Sequence, residues 1–118
     1  MLEKFMPFID AKVSMKLTDA QKEELKSELG KAITVMNKSE TYLMVGILDG
    51  YDLFMGGKKL EKGAFISVQV LGEVNRDLSS KMTAEICRIV NEKLGVPGNC
   101  VYVNYMGYRD WGFNGGNF

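Results

Sequence analysis

The sequence predicts an α/β domain in which two β-α-β units form a four-stranded mixed sheet with both helices on one face. Three observations carry this prediction. A strand, helix, strand order of hydrophobic patterns occurs twice, each helix carries a start or stop signal, and 118 residues suit a single domain. A hydrophobic content of 46% with 10% aromatics supplies enough apolar material for one core.

The first unit opens on residues 8–13, a short apolar-rich run. Thr18 then stands three residues before Gln21, the spacing of a capping box. Leu25, Leu29, Ala32, Ile33 and Met36 recur at steps of three and four, which predicts one apolar face on a helix ending near Asn37. Residues 42–48, YLMVGIL, are nearly all apolar and read as a buried strand. Residues 49–63 carry Gly50, Gly56, Gly57 and three lysines, the composition of an exposed loop.

The second unit begins with a strand over residues 64–71. Its helix has Leu78, Met82, Ile86, Ile89, Val90 and Leu94 on the core face, and Gly95 with Pro97 is the stop pair. Residues 101–105 close the sheet as VYVNY, and Gly115-Gly116-Asn117 reads as a turn before a docked Phe118. Right-handed crossovers put both helices on the same face, leaving the other face without cover. Residues 42–48 are apolar at both alternating sets of positions, so both faces of that strand seek burial. Self-association follows as an expectation.

Function classes are narrowed by what is missing. Fifteen basic and fifteen acidic residues cancel, so no net field draws the chain to nucleic acid or an anionic membrane. No apolar run suits a membrane span or a signal-peptide core, which makes cytoplasmic residence the expectation. With no histidine, Ser-His and Cys-His pairs are excluded along with the commonest metal ligand, and no metal site is expected. Cys87 and Cys100 form no CxxC pair and read as reduced thiols. Gly56-Gly57-Lys58-Lys59 lacks phosphate-loop spacing and reads as a surface turn.

Met6-Pro7-Phe8-Ile9, Asn37-Lys38, Tyr42, Gly72 with Asn75-Arg76, the VYVNY run at 101–105, Trp111-Gly112-Phe113-Asn114 and the terminal Phe118 together resemble the macrophage migration inhibitory factor family of the tautomerase superfamily. The resemblance covers residues 7–118 and leaves 1–6 as an N-terminal extension. It implies a trimeric tautomerase-like fold and a keto–enol tautomerase of phenylpyruvate-type α-keto acids that needs no cofactor. Pro7, once N-terminal, would be the catalytic base, its amine poised near neutral pH by apolar burial and the cation of Lys38. Lys38 would pair with the substrate carboxylate, while Asn104 and the backbone of Val68 would hydrogen-bond polar substrate atoms. Tyr102 would come from a neighbouring subunit. Trp111, Phe113 and Phe118 would form an aromatic wall, with Tyr42 a further binding residue.

Without the resemblance, Lys38 reads as a solvated helix-end lysine, Asn104 as a strand residue satisfying a nearby loop, and the aromatics as core or interface residues. The same resemblance supports an alternative, a cytokine-like protein that acts on a host receptor with vestigial catalysis and leaves cells without a signal peptide. This chain departs from the family pattern in three respects, the most serious being the extension before Pro7. Leu60-Glu61-Lys62-Gly63 replaces the CxxC pair of vertebrate members, and Trp111 and Phe113 stand where those members tend to have a small residue and then a tryptophan. Behind Met6, the Pro7 nitrogen is a tertiary amide. Leu2 blocks trimming at Met1, but the Met6–Pro7 bond suits an aminopeptidase once exposed. Leu2, Phe5 or Met6 is expected near the pocket mouth.

Overall fold

In the computed structural model, which describes residues 6–118, β1 (Pro7–Val13) alternates strictly between buried and half-buried side chains. The capping box ahead of α1 (Asp19–Ala32) forms as expected: Thr18 Oγ1 accepts from the Gln21 N–H at 3.1 Å and Gln21 Oε1 from the Thr18 N–H at 2.8 Å. A 3-10 turn, Ile33–Met36, extends the helix to Asn37, which ends it in the left-handed region at φ 58°.

β2 (Met44–Leu48) is two residues shorter than the apolar run suggested. Ser39 Oγ accepts from the Thr41 N–H at 3.1 Å and caps a 3-10 turn over Glu40–Tyr42, so Tyr42 belongs to that turn and not to the strand. The 49–63 segment holds a small hairpin, β3 (Phe54–Met55) and β4 (Lys58–Lys59), turned by Gly56 and Gly57 at φ 59° and 80°. β5 (Ala64–Leu71) leads to α2 (Arg76–Leu94), capped by Asn75 Oδ1 on the Leu78 N–H and stopped by Gly95 at φ 72°. β6 (Val101–Tyr108) runs three residues past the VYVNY motif. A second hairpin, β7 (Gly112–Phe113) and β8 (Gly116–Asn117), ends the chain.

The sheet order is β2-β1-β5-β6, with β1 parallel to β2, antiparallel to β5, and β5 parallel to β6. This is the mixed sheet of two β-α-β units. Ile9, Ala11 and Val13 of β1 and Ile66, Val68 and Val70 of β5 bury one face under Leu25, Leu29, Ile33, Met82, Ile86, Ile89 and Val90. Val45 and Ile47 join that core from β2. Their neighbours on the strand do not: Met44 and Leu48 are 68% and 47% exposed on the opposite face.

That opposite face has a readable pattern. One row runs Met44, Phe8, Gln69, Met106, the next Gly46, Asp10, Ser67, Asn104, and the third Leu48, Lys12, Phe65, Tyr102. A polar row thus lies between two rows rich in apolar side chains. Lys12 Nζ reaches Asp10 at 2.7 Å and lies 5.8 Å from the centre of the Tyr51 ring. Tyr102 and Met106, in the two outer rows, remain 63% and 55% exposed, and among the described residues no helix covers this face.

Candidate active site

Pro7 is the first residue of β1, a position where a strand tolerates the missing N–H. It is buried and pairs with Val70 of β5. The 3-10 turn before β2 carries Tyr42 and Leu43 to the same end of the sheet, and the chain leaving β6 returns there as the β7–β8 hairpin. These segments enclose a cavity of about 360 Å³ lined by Met6, Pro7, Phe8, Tyr42, Leu43, Met44, Trp111, Gly112 and Phe113. Its size suits a small molecule. None of the nine residues carries a charged side chain, and the Tyr42 hydroxyl and Trp111 indole N–H are the polar side-chain groups they offer.

The walls are ordered by ring contacts. Tyr42 meets Phe113 edge-on, centroids 5.8 Å apart at 78°, and Phe113 stacks on Phe118 at 6.2 Å and 12°. Tyr108 meets Trp111 at 6.0 Å and 60°. The Phe118 N–H donates to the Trp111 carbonyl at 3.1 Å, and Asn114 and Gly115 turn the hairpin at φ 51° and 90°. Left-handed Asn114 is adjacent to Phe113 and so helps to direct the wall.

Of the residues expected at a site, Pro7, Tyr42, Trp111 and Phe113 converge in this cavity. Phe118 stands outside the lining, stacked on Phe113. Lys38 follows the left-handed Asn37 and is half-buried, four residues before Tyr42, but does not line the cavity. Val68 is on a central strand, in register with Ile9 and Tyr105, so the sheet ladders take its backbone polar groups. Tyr102 and Asn104 lie on β6, two strands from β1. The row of Pro7 passes through Val70 to Gly107. Tyr102 is therefore five positions along β6 from that row and Asn104 three. At ~4.8 Å between strands and ~3.3 Å per residue, they sit ~19 Å and ~14 Å from Pro7. A single copy cannot bring either onto a small substrate held at Pro7.

Met6, Phe8, Leu43 and Met44 are lining residues that the sequence pattern did not single out as binding groups. Met6, expected near the mouth, is 4% exposed in the lining itself, while Leu2 and Phe5 lie outside the described residues. The signal for Phe8, Leu43 and Met44 was adjacency: each neighbours a residue already suspected. The displaced pKa values belong elsewhere. Burial pushes the Tyr105 phenol up, against the 2.7 Å hydrogen bond with Thr83, and burial raises Cys87 as well. Both groups sit away from the cavity. Cys100 and Tyr102 line a separate apolar cavity of about 230 Å³ beside Phe54 and Phe65. Among the described residues no group of three or more acidic or cysteine side chains is arranged to hold a metal ion, and no helix is long and apolar enough to cross a membrane.

Comparison with known proteins identifies the family and the fold. A family model described as macrophage migration inhibitory factor matches residues 6–118. A macrophage migration inhibitory factor homolog of Trichuris trichiura is 31% identical over 96 residues, 80% of this chain and 83% of the relative. A second homolog, from Trichinella spiralis, is 26% identical over 115 residues, 96% of this chain and all of the relative. Among solved structures, Leishmania major MIF2 superposes with a TM-score of 0.90 at 27% identity, covering 97% of this chain and 98% of that one.

Proposed function

The chain belongs to the macrophage migration inhibitory factor family, and on that premise we propose that it is a keto–enol tautomerase of phenylpyruvate-type α-keto acids whose base is the Pro7 amine. The observation that carries the reading is Pro7 in the lining of a cavity walled by Tyr42, Trp111 and Phe113. A phenyl ring fits among such walls, edge-on or stacked. The proton moves from the carbon next to the ketone onto the Pro7 nitrogen and is returned to the ketone oxygen. No atom is gained or lost. The apolar lining disfavours the charged ammonium and so lowers the amine pKa toward neutrality, where a base is most effective.

Two conditions attach to this mechanism. In the present sequence the Pro7 nitrogen is acylated by Met6 and has no basic lone pair, so activity requires cleavage of the Met6–Pro7 bond. That cleavage also removes Met6 from the lining, enlarging the cavity. Second, Tyr102 and Asn104 act on substrate only when supplied by another copy, which is the role we assign to a homotrimer closed through the helix-free sheet face. Lys38, half-buried four residues before Tyr42 and outside the lining, is the residue we assign to the carboxylate contact.

The test compares a protein whose first residue is Pro7, confirmed by intact mass, with the 118-residue chain. Phenylpyruvate enolisation is expected to be faster by orders of magnitude in the first. Equal rates would remove Pro7 as the base, and light scattering that shows a monomer at micromolar concentration would remove the shared site.

A further inference from the structure

A second cavity lies at the other end of the sheet from Pro7. Ala64 in its lining pairs with Val13, six residues along β1 from the Pro7–Val70 pair, or ~20 Å at ~3.3 Å per residue. The volume is about 230 Å³, and Leu53, Phe54, Leu60, Phe65, Cys100 and Tyr102 form most of the wall. Local sequence fixes that wall. The Leu60 N–H donates to the Leu53 carbonyl at 2.9 Å and closes the β3–β4 hairpin, while Ser14 Oγ donates to the Glu61 carbonyl at 3.0 Å and accepts the Gly63 N–H at 2.8 Å. A Cβ at Gly63 would stand 2.7 Å from Leu60 Cδ1, so glycine at this position lets Leu60 fold over the chain as part of the lining. Tyr102 meets Phe65 edge-on, centroids 6.5 Å apart at 86°.

The lining restricts what can occupy it. None of its side chains is charged, although Lys58, Lys59 and Lys62 are close in sequence. An ionised ligand would lose its hydration there without a partner, so the occupant is neutral. The volume is below the ~300–1,000 Å³ of clefts that hold drug-sized molecules, which limits the occupant to one ring with short substituents. The Phe65–Tyr102 corner offers a ring face and a ring edge, and the Tyr102 hydroxyl and Cys100 thiol are the donors that the side chains supply to a ligand oxygen. Tyr102 is also the side chain that the proposed function takes from one copy to the Pro7 cavity of the next. At 63% exposed it has ring surface for both contacts. We propose that this cavity is an effector site for a small neutral aromatic molecule, a phenol by class, which acts on turnover through Tyr102. The binding stands on this cavity alone, whereas the effect on turnover rests on the proposed function.

The probe is p-cresol, and Cys100 reports its presence. In the 118-residue protein, p-cresol is expected to slow alkylation of Cys100 by N-ethylmaleimide saturably, read from the mass of tryptic peptide 94–109, while Cys87 on peptide 82–88 reacts at an unchanged rate. The anion 3-phenylpropanoate should give no protection. Phe54→Ala removes a ring that is 62% exposed, outside the main core, and should weaken p-cresol about three- to tenfold, the range that one aromatic pair supports. Phe54→Tyr keeps the ring and should retain protection. In protein beginning at Pro7, p-cresol should lower kcat for phenylpyruvate, at about three- to tenfold higher concentration in Phe54→Ala than in the parent. Equal alkylation rates with and without p-cresol, or protection that Phe54→Ala leaves unchanged, would overturn the site. A rise in KM alone, equal in the parent and Phe54→Ala, would locate the effect in the Pro7 cavity and overturn the effector role. Absence of turnover in the Pro7 protein would instead overturn the proposed function, and Cys100 protection would still decide whether this cavity binds.

Discussion

Gly107 is where the fold and the cavity are mechanically joined, and replacing it with alanine tests that joint. It lies in β6 in register with Val70 of β5. A Cβ at Gly107 would overlap the carbonyl oxygen of Gly72 and stand 3.2 Å from the Gly72 carbon and 3.3 Å from the Glu73 Cα. All three atoms are backbone, so no rotamer change relieves the contact. Nor is the loop free to retreat, because the Gly72 N–H donates to the Tyr108 carbonyl at 2.8 Å and Gly72 has φ 98°, a conformation L side chains rarely adopt. Overpacking of this kind costs roughly 1–3 kcal/mol, offset in part by the ~0.4–1 kcal/mol that alanine gains by restricting the unfolded chain. A net loss of ~1–2 kcal/mol corresponds to a fall in Tm of about 5–10 °C for a chain of this size. Thermal melting by circular dichroism measures it, with Gly116→Ala as the control, since nothing lies within 4 Å of a Cβ there. Because Tyr108 follows Gly107 and packs against Trp111, the emission of Trp111 should change with the melting point. A Gly107→Ala protein that melts within about 1 °C of the parent would refute the reasoning.

Three further outcomes are expected. Lys38→Ala, made in protein beginning at Pro7, should raise KM for a carboxylate substrate about tenfold with little change in kcat, measured by steady-state kinetics, since it removes a charge-assisted contact. Thr83→Val should destabilise by about 1–3 kcal/mol in denaturant titration, because it strands the half-buried Tyr105 hydroxyl; Tyr105→Phe should cost less, as Thr83 Oγ1 keeps its 3.1 Å bond to the Ser79 carbonyl. Asp49 accepts the Leu17 N–H at 2.8 Å, and this bond, aided by the Lys22 ammonium, holds its carboxyl below the ordinary value. Its contribution is therefore present above the unfolded pKa of about 4 and is lost as pH falls through the lower folded value. Asp49→Asn should melt with a shallower dependence on pH below about 4 than the parent, and identical slopes would show that Asp49 does not contribute.

Elements with local determinants were legible in the sequence. Thr18 and Gln21 three residues apart specify a helix start whatever lies around them, and Gly95 supplies the left-handed residue that ends α2. The core faces of both helices followed from periodicity for the same reason. Where a short-range hydrogen bond competes with an apolar pattern, the pattern misleads. Tyr42 reads as strand until Ser39 is seen to cap the Glu40–Tyr42 turn, and that turn is what aims Tyr42 into the cavity. The β7–β8 hairpin was visible only as glycines, because strands of two residues have no period to detect.

The cavity was legible in part: Pro7, Tyr42, Trp111 and Phe113 gather there, whereas Lys38, Val68 and Phe118 lie outside its lining. Pro7, Tyr42, Trp111 and Phe113 are far apart in sequence, and only the return of the chain after β6 to the Pro7 end of the sheet brings them together. The sheet register then separates Tyr102 and Asn104 from Pro7, by the ~19 Å and ~14 Å that follow from two strand spacings and five or three residues of rise. The separation and the uncovered face have one origin. A strand order of β2-β1-β5-β6 with both crossovers on one side leaves Met44, Leu48, Tyr102 and Met106 exposed together on the other, with Asn104 in the polar row between them. In the proposed homotrimer, a second copy packed on that face would bury the apolar rows and in the same act supply the side chains that one copy holds out of reach. Under the proposed function, self-association through the sheet and completion of the site become a single requirement. A substitution that keeps the protein monomeric, such as Leu48→Lys with Met106→Lys, should therefore abolish turnover in Pro7-initiated protein even though every residue of the 360 Å³ cavity is intact. Full turnover by a monomer of confirmed mass would show that Tyr102 and Asn104 take no part.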